Sequence, residues 1–348
     1  MDFSIIIPTC NRADELRETI RSIARLRGAG DWELLVVDNN SKDHTRAVVE
    51  QERAGFPAPL RYLFEPEQGR YAALNTGIRA AAGNIIATTD DDARVEPDWL
   101  TQAAAGLAAQ GCDYVGGKVL PIWRGQPPPW LPNRPGRHWS VLALQDHGGK
   151  PVEFGVNGIP WPLGINTATR REAFDRIDLF DNRLGRKAGT LRNQAQREWH
   201  LRARAAGLRG FYIPGMVVHH VVEAERLHKR YFRRWYYWHG ISRAILFAKL
   251  GVDMDAPDSS QLDFSHVPRI AGVPRYMYRT LAAHGVDLIR ARLRGDAVAA
   301  FEHELWLWFF AGIAKQRWSE RDIAIPPPQV HASSPHPHSS PAGVLEAN

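Results

Sequence analysis

The chain has 348 residues, a hydrophobic fraction of 44% and a net charge of +6, which is typical of a globular protein with one large or two smaller domains. Its only cysteines, Cys10 and Cys112, have no metal-type spacing, so neither a disulfide framework nor a zinc site is indicated. No apolar run reaches the roughly 18 to 20 residues that span a bilayer, and the N-terminus lacks the basic segment of a secretory signal. We therefore expect a cytoplasmic protein.

The first part of the chain alternates apolar strands with helices. Apolar runs predict strands over residues 4–7, 32–37, 60–64, 84–89 and 113–119. Helical spacing predicts helices over residues 11–26, from 41–43 through 49, over 70–82 and over 96–110. This alternation indicates an α/β fold with a largely parallel sheet, in which ligands bind beyond the carboxyl ends of the strands.

Polar clusters follow three of these strands. Residues 8–12 follow the first strand, residues 38–40 follow the second, and three consecutive aspartates end the fourth. In an extended chain Asp90 and Asp92 would project to one side and Asp91 to the other. Two carboxylates facing one point suit Mg²⁺ or Mn²⁺ with a phosphorylated ligand. The alternative is a solvated acidic turn that begins the next helix.

The order of these segments resembles the family 2 glycosyltransferases of GT-A fold. The segments that carry the resemblance are SIIIPTCNR at 4–12, ELLVVDNNS at 33–41, NTGI at 75–78 and DDD at 90–92. The resemblance continues through residues 166–185 on the acceptor side and reaches the pair His219 and His220. It implies a Rossmann-like, mostly parallel sheet with flanking helices. It also implies inverting transfer of a sugar from a UDP- or dTDP-type donor.

The resemblance also implies roles for individual residues. The nucleotide would be bound by Pro8, Thr9, Asn11, Arg12, Asp38, Asn39, Asn75, Asp90 and Asp91. Among these, Asp38 would accept a hydrogen bond from the base and Asp90 would lie near the ribose. The metal, Mn²⁺ or Mg²⁺, would be held by Asp92, with Asp90 and His220 as further ligands. His219 is the second choice for this histidine, and a purely structural histidine is the alternative.

One departure concerns the general base. The family carries Glu-Asp about a dozen residues before Ala206, but those positions hold Ala195 and Gln196, and an amide cannot take up a proton. Glu198 is the nearby carboxylate and is the predicted base, although two residues turn a helix by about 200°. Its alternative role is a salt bridge with Arg202 at the i, i+4 position. Asp181 is the fallback base.

The C-terminal part is rich in aromatic and basic residues. Residues 226–249 interleave aromatic side chains with Arg and Lys, and residues 304–314 are again aromatic. This pattern predicts helices in contact with an anionic membrane surface. Core packing with a solvated basic face, or a nucleic-acid patch, are the alternatives. The predicted domains are 1–225 (nucleotide half 1–123, acceptor half 124–225), a helical extension over 226–324 and a disordered tail over 325–348.

Together these features predict a metal-dependent glycosyltransferase. It would transfer a sugar to a glycan or lipid-linked acceptor in cell-surface polysaccharide synthesis, at the inner face of the cell membrane and without nucleic acid. A sugar-nucleotide nucleotidyltransferase is one alternative, but residues 8–12 lack the glycine of a phosphate loop. The other alternative is a nucleotide-sugar-binding protein that has lost its general base, and Gln196 keeps this alternative open.

Overall fold

The computed structural model describes residues 1–28, 30–131, 135–136, 138–186, 189–250 and 268–319. In chain order its strands are β1 (Phe3–Thr9), β2 (Trp32–Asp38), β3 (Leu60–Phe64), β4 (Ile85–Thr88), β5 (Ala93–Val95), β6 (Tyr114–Trp123), β7 (Val152–Glu153), β8 (Thr167–Arg170), β9 (Gly210–Val222), β10 (Arg269–Ile270) and β11 (Val273–Pro274). Its helices are α1 (Ala13–Ile23), α2 (Thr45–Arg53), α3 (Arg70–Ala80), α4 (Trp99–Gln110), α5 (Arg171–Ile177), α6 (Ala195–Ala205), α7 (Lys229–Leu250), α8 (Arg275–Leu293) and α9 (Ala297–Ser319).

The core of the fold is a mixed sheet. Over the described ranges nine strands form it, in the order β3-β2-β1-β4-β8-β6-β9-β5, with β7 beside β9. Strands β1 to β4 run parallel to their neighbours within that group, as predicted. Beyond β4 the sheet changes direction, because β8 runs antiparallel to both β4 and β6. The predicted α/β class is confirmed, and the parallel arrangement belongs to the N-terminal part of the sheet.

Strand β1 is buried on both faces. Ile5 and Ile7 pack with residues of α1, whereas Ile6 packs on the opposite face with Leu74 and Ile78 of α3. Side chains of a strand alternate between faces, so a run of consecutive apolar residues requires cover on both sides. The unbroken apolar run of β1 is therefore explained by helices on both faces of the sheet.

Strands β6 and β9 approach each other closely at a glycine. A Cβ atom on Gly117 would overlap the carbonyl oxygen of Met216, and the register of the two strands shifts between Gly117 and Lys118. Glycine within a strand often marks such a close approach of another backbone. Only a residue without a side chain permits this irregularity.

Helices α7 and α9 also meet through glycines. A Cβ atom on Gly240 would overlap the carbonyl oxygen of Phe309, and one on Gly312 would overlap that of Tyr237. Trp235 stacks on His239 with 4.6 Å between ring centroids. None of the described aromatic side chains at residues 231, 232 and 235–238 is exposed. Phe232 and Tyr236 are buried and the other four are partly exposed, and the membrane contact of this segment stays a prediction.

Two sequence predictions concern parts of the chain that the structure leaves out. The tail predicted over 325–348 lies outside the described residues, and the helical extension over 226–324 is described only in part. The domain boundaries remain a prediction. Among the described helices, none combines the length and apolar character needed to cross a bilayer.

Candidate active site

The three polar clusters meet at one edge of the sheet. The register of the parallel strands places Thr9 opposite Asp38 and Ile6 opposite Thr88, so the strand ends lie side by side. The Thr9 hydroxyl donates to Asp91 at 2.8 Å. This edge brings together residues that are far apart in sequence, as expected for the ligand-binding end of such a sheet.

Arg12 lies against two of the three aspartates. Its guanidinium donates to Asp91 at 3.2 Å and also to Asp92. Asp91 and Asp92 are only 6% and 4% exposed, so each carboxylate needs such a partner. Asp90 instead accepts a hydrogen bond from Arg70 at 3.0 Å. Residues 91–92 form a turn, so the alternation of an extended chain, which would have paired Asp90 with Asp92, does not apply.

The two buried aspartates differ in their electrostatic surroundings. Burial and the neighbouring charge of Asp92 raise the pKa of Asp91 above its usual range, against the effect of Arg12. Burial acts the same way on Asp92, but His220, Arg12 and Arg226 outweigh it and hold the pKa of Asp92 well below its usual range. Asp92 is therefore the carboxylate that remains ionised next to a cation.

His220 points at Asp92, and His219 does not. The buried His220 ring places Nδ1 2.9 Å from the carbonyl oxygen of Leu142 and Nε2 3.5 Å from Asp92 Oδ1. His219, the preceding residue of the strand, faces Glu96 at 2.9 Å instead. The carbonyl contact places a proton on Nδ1 of His220, which leaves Nε2 as the ring nitrogen that faces the aspartates.

These donors fit a divalent metal in combination with a phosphorylated ligand. A buried carboxylate and an imidazole with a fixed tautomer are suitable protein ligands for Mn²⁺. Within the described ranges, no group of three or more His, Cys, Asp or Glu side chains is arranged to hold an ion alone. Further ligands would have to come from diphosphate oxygens and water, which is usual for Mg²⁺ and Mn²⁺.

Asp38 and the asparagines hold the loops around this edge. Asp38 accepts from Tyr62 Oη at 2.7 Å and from the Ser41 backbone at 2.8 Å. The remaining contacts belong to the asparagines: Asn11 Oδ1 accepts from the Lys42 backbone at 2.6 Å, Asn39 Oδ1 from the Gly69 backbone at 2.7 Å, and Asn75 Nδ2 donates to the Phe180 carbonyl at 2.8 Å. Pro8 lies in β1 opposite Val37. Roles of these residues in nucleotide binding stay predictions.

Three residues of the site were missed in the sequence. Tyr62 contacts Asp38, Arg70 contacts Asp90, and Arg226 lies 3.3 Å from His220 Nε2 and 3.7 Å from Asp92. Arg70 could have been found in the sequence, because it begins a predicted helix directly after a glycine. In the structure Gly69 has a φ of 148°, which favours glycine. Tyr62 and Arg226 reach the site only through tertiary contacts, which no local pattern encodes.

Glu198 forms the salt bridge that was its alternative role. It is fully buried, and its carboxylate accepts from Arg202 at 2.8 and 3.0 Å and from Lys249 at 2.9 Å. A carboxylate enclosed in this way has no access to an acceptor hydroxyl, so the structure argues against Glu198 as the base. Lys249 also bonds Asp181 at 2.6 Å. Burial raises the pKa of Asp181, but Arg183 and Lys249 outweigh burial and hold this pKa well below its usual range.

Gln196, at the position where the resemblance expects the base, lies near Arg70. A Cβ atom on Gly164 would lie 2.7 Å from Gln196 Oε1 and 3.2 Å from the guanidinium of Arg70. Arg70 in turn holds Asp90. The family's base position is therefore next to the aspartates, but an amide occupies it.

A comparison with known families identifies this arrangement. The model of "Glycosyl transferase family 2" matches residues 4–177, half of the chain. The chain belongs to glycosyl transferase family 2. This result confirms the resemblance seen in the sequence.

Curated relatives and solved structures agree with this assignment. "Glycosyltransferase AglE" of Haloferax volcanii is 36% identical over 118 residues, which are 33% of this chain and 38% of that protein. "Succinoglycan biosynthesis protein ExoM" of Rhizobium meliloti is 30% identical over 150 residues, 42% of this chain and 48% of that protein. The match thus spans less than half the length of either relative. "Mannosyltransferase PcManGT from Pyrobaculum calidifontis", solved with GDP-Man and Mn²⁺, has a TM-score of 0.60 at 20% identity, covering 91% of this chain and 87% of that one, which supports the fold.

Proposed function

We propose that this protein is a metal-dependent, inverting glycosyltransferase that uses a nucleoside diphosphate sugar. The observation that carries the proposal is the convergence of Asp92 Oδ1 and His220 Nε2 beside Arg12 and Arg226. Carboxylate and imidazole suit the metal, and the arginines suit the diphosphate. The structural relative solved with GDP-Man and Mn²⁺ supports this donor class, so a GDP donor joins the UDP and dTDP types.

In this proposal the residues of the site position the donor and stabilise its leaving group. Asp92 and His220 would hold Mn²⁺ or Mg²⁺, which supplies a Lewis acid for the charge of the departing diphosphate. Arg12 and Arg226 place further positive charge beside Asp92, where it would stabilise the negative charge that develops on the departing diphosphate in the transition state. Asp38 lies at the end of β2, on the side where the base of the nucleotide would bind.

Asp181 is the carboxylate that we retain as the candidate base. Its side chain is 11% exposed, whereas that of Glu198 is 0% exposed. The segment around Asp181 contacts α3 and the residues before it. The Phe180 backbone donates to Asn75 of α3, and Asn182 Nδ2 donates to Glu67 at 2.5 Å. Asp181 would act after release from Lys249, since a carboxylate bound to an ammonium group is a weak proton acceptor.

The acceptor is proposed from the chemistry of the relatives. The named relatives include a succinoglycan biosynthesis protein, which supports a glycan or lipid-linked acceptor in the synthesis of cell-surface polysaccharide. We place this reaction at the inner face of the cell membrane, with the protein bound peripherally. The sugar and the linkage depend on loops that differ between members of a fold family.

A second candidate is a nucleotide-sugar-binding protein without transfer activity. Gln196 favours it, because the position where the family carries its base holds an amide. The two candidates share donor binding and differ in turnover. Release of nucleotide from a bound donor above the uncatalysed rate would exclude the second candidate.

Calorimetric titration with UDP, dTDP and GDP, each with and without Mn²⁺, tests the proposal. We expect one nucleotide to bind tightly and only in the presence of the metal. The matched nucleotide sugars then identify the donor by the release of nucleoside diphosphate. Absence of binding by all three nucleotides in the presence of Mn²⁺ would contradict the proposal.

A further inference from the structure

We propose that the outward face of α8 docks on an anionic phospholipid bilayer. The sequence pattern predicts membrane contact for the aromatic segments of α7 and α9, but the aromatic side chains at residues 231, 232 and 235–238 of α7 are buried or only partly exposed. The surface on α8 consists of different residues. Docking through this surface would depend on the exposure and charge of its residues and would not require sugar transfer.

An apolar stripe runs along the exposed side of α8. Val286, Ile289 and Leu293 are 47%, 60% and 83% exposed. They are spaced three and four residues apart, so they lie on one face of the helix. We call these three residues the α8 stripe. The exposed Ala282 and Ala283 extend it toward the start of the helix.

The opposite face of α8 is already occupied. Met277, Leu288 and Ala291 are buried, and Leu288 and Ala291 pack with Ala300 of α9. Packing of this face explains how the helix is held without any contribution from the α8 stripe. Within the part of the chain that the structure describes, the stripe therefore stays exposed and can bind a partner.

Arginines surround the stripe. The exposed ones within α8 and directly after it are Arg275, Arg279, Arg290, Arg292 and Arg294. Asp287 is the one acidic residue in the sequence of α8, and it contacts Arg290 at 3.1 Å. Each Lys or Arg near an anionic membrane surface contributes about 1 kcal/mol of attraction. An apolar stripe flanked by cations is the pattern of a helix that lies in the interface plane.

The same charges argue against other partners. In a two-fold dimer through α8, the arginines of one copy would face those of the second copy, and like charges repel. A nucleic acid would satisfy the arginines, but it offers no apolar surface for Ile289 and Leu293. An anionic bilayer matches both features, because its headgroups are negative and its interior is apolar.

Vesicle flotation of the full chain tests this inference. The probes are phosphatidylcholine vesicles with and without phosphatidylglycerol, at low and at high salt. The stripe variant combines Ile289→Gln with Leu293→Gln, and the charge variant combines Arg290→Gln with Arg294→Gln. The controls are Phe64→Gln, an exposed apolar residue elsewhere, and Arg25→Gln with Arg79→Gln, exposed arginines elsewhere.

We expect the wild type and both controls to bind only the vesicles that contain phosphatidylglycerol, and less at high salt. Both α8 variants should lose about tenfold or more in binding, since two arginines contribute about 2 kcal/mol. The melting temperature should stay unchanged, because all four substituted side chains are exposed.

Several outcomes would overturn the inference. Failure of the wild type to bind the vesicles is one, and binding of the α8 variants equal to that of the wild type is another. A wild-type dimer that the stripe variant converts to a monomer would assign the stripe to contact between copies. A large fall in the melting temperature of the stripe variant would show that another part of this chain covers it. Nucleotide binding is measured separately, so failure here would contradict the proposed place at the membrane and leave the proposed sugar transfer standing.

Discussion

Arg12, at the start of α1, donates a hydrogen bond to Asp92, which lies 80 residues further along the chain. The same guanidinium also contacts Asp91. A protein cation therefore neutralises the carboxylate that our proposal assigns to a metal. When a metal and a diphosphate bind, Arg12 has to share Asp92 with the metal or turn toward the phosphates.

Substitution of Arg12 tests this competition. Arg12→Gln removes the cation from two buried carboxylates, so we expect a lower melting temperature and a loss of roughly 1 to 2 kcal/mol in stability. Mn²⁺ alone should then raise the melting temperature of the variant more than that of the wild type. Arg21→Gln, an exposed arginine on the same helix, is the control. An equal effect of Mn²⁺ on both proteins would show that Arg12 and the metal do not compete.

Asp92 should be essential for metal-dependent binding. Asp92→Asn keeps the shape of the side chain but removes its charge, so Mn²⁺-dependent nucleotide affinity should fall by at least about tenfold. Calorimetry measures this change, and circular dichroism checks that the variant is folded. Asp98→Asn, an exposed carboxylate nearby, serves as the control and should bind normally. Unchanged binding by Asp92→Asn would rule out the metal assignment.

Asp181 and Glu198 share Lys249, but we expect their substitutions to have different effects. Asp181→Asn should lower turnover by about 100-fold, the lower range for loss of a general base, with nucleotide affinity preserved. Glu198→Gln should instead cost about 2 kcal/mol of stability, because Arg202 and Lys249 lose a fully buried partner. Steady-state kinetics and denaturant unfolding measure the two effects. Full turnover in Asp181→Asn would move the base to another residue.

His200 makes stability depend on pH. Burial lowers its pKa from 6.5 to about 3, and its ring stacks on Trp161 at 5.5 Å. Below about pH 6.5 the unfolded chain binds a proton at this residue that the folded chain does not bind, so stability falls as the pH falls toward 3. The slope from one such residue is about 1.4 kcal/mol per pH unit.

His200→Phe should remove this contribution. The phenyl ring preserves the stack on Trp161 and has no group that titrates, so the free energy of unfolding should fall less steeply below about pH 6.5. Denaturant unfolding at several pH values, on wild type and variant, gives the difference in slope. Parallel curves for the two proteins would mean that His200 does not remain neutral in the folded state.

Local patterns were sufficient for the N-terminal part of the fold. Strand β1 was predicted over residues 4–7 and extends over Phe3–Thr9, and the third strand matches Leu60–Phe64. Buried parallel strands consist of continuous apolar runs, and the helices between them show regular apolar spacing. The meeting of Thr9, Asp38 and the aspartates also followed from the strand order. The strands and helices depend on residues that are near one another in sequence, and the meeting at the sheet edge follows from the order of these elements.

Features that depend on distant contacts were not predicted. The sequence carried no signal that Lys249 would join Asp181 to Glu198, since its contact with Glu198 spans 51 residues. The short strand β5 was missed, because three residues cannot show a period. Helix α8 lies within the predicted helical extension, but its bounds were not predicted, since its exposed face is apolar and its pattern does not separate a buried side from a solvated one.

The position of Lys249 also bears on how the protein can be divided. This lysine belongs to α7, but its two carboxylate partners, Asp181 and Glu198, lie between β8 and β9. Phe232 of α7 and Phe301 of α9 likewise share a hydrophobic core with Trp139. A fragment that ends at residue 225 would leave Glu198 with one cation fewer and expose this core to water. The C-terminal helices thus pack as one folded unit with the sheet, and truncation before α7 should yield an unstable fragment.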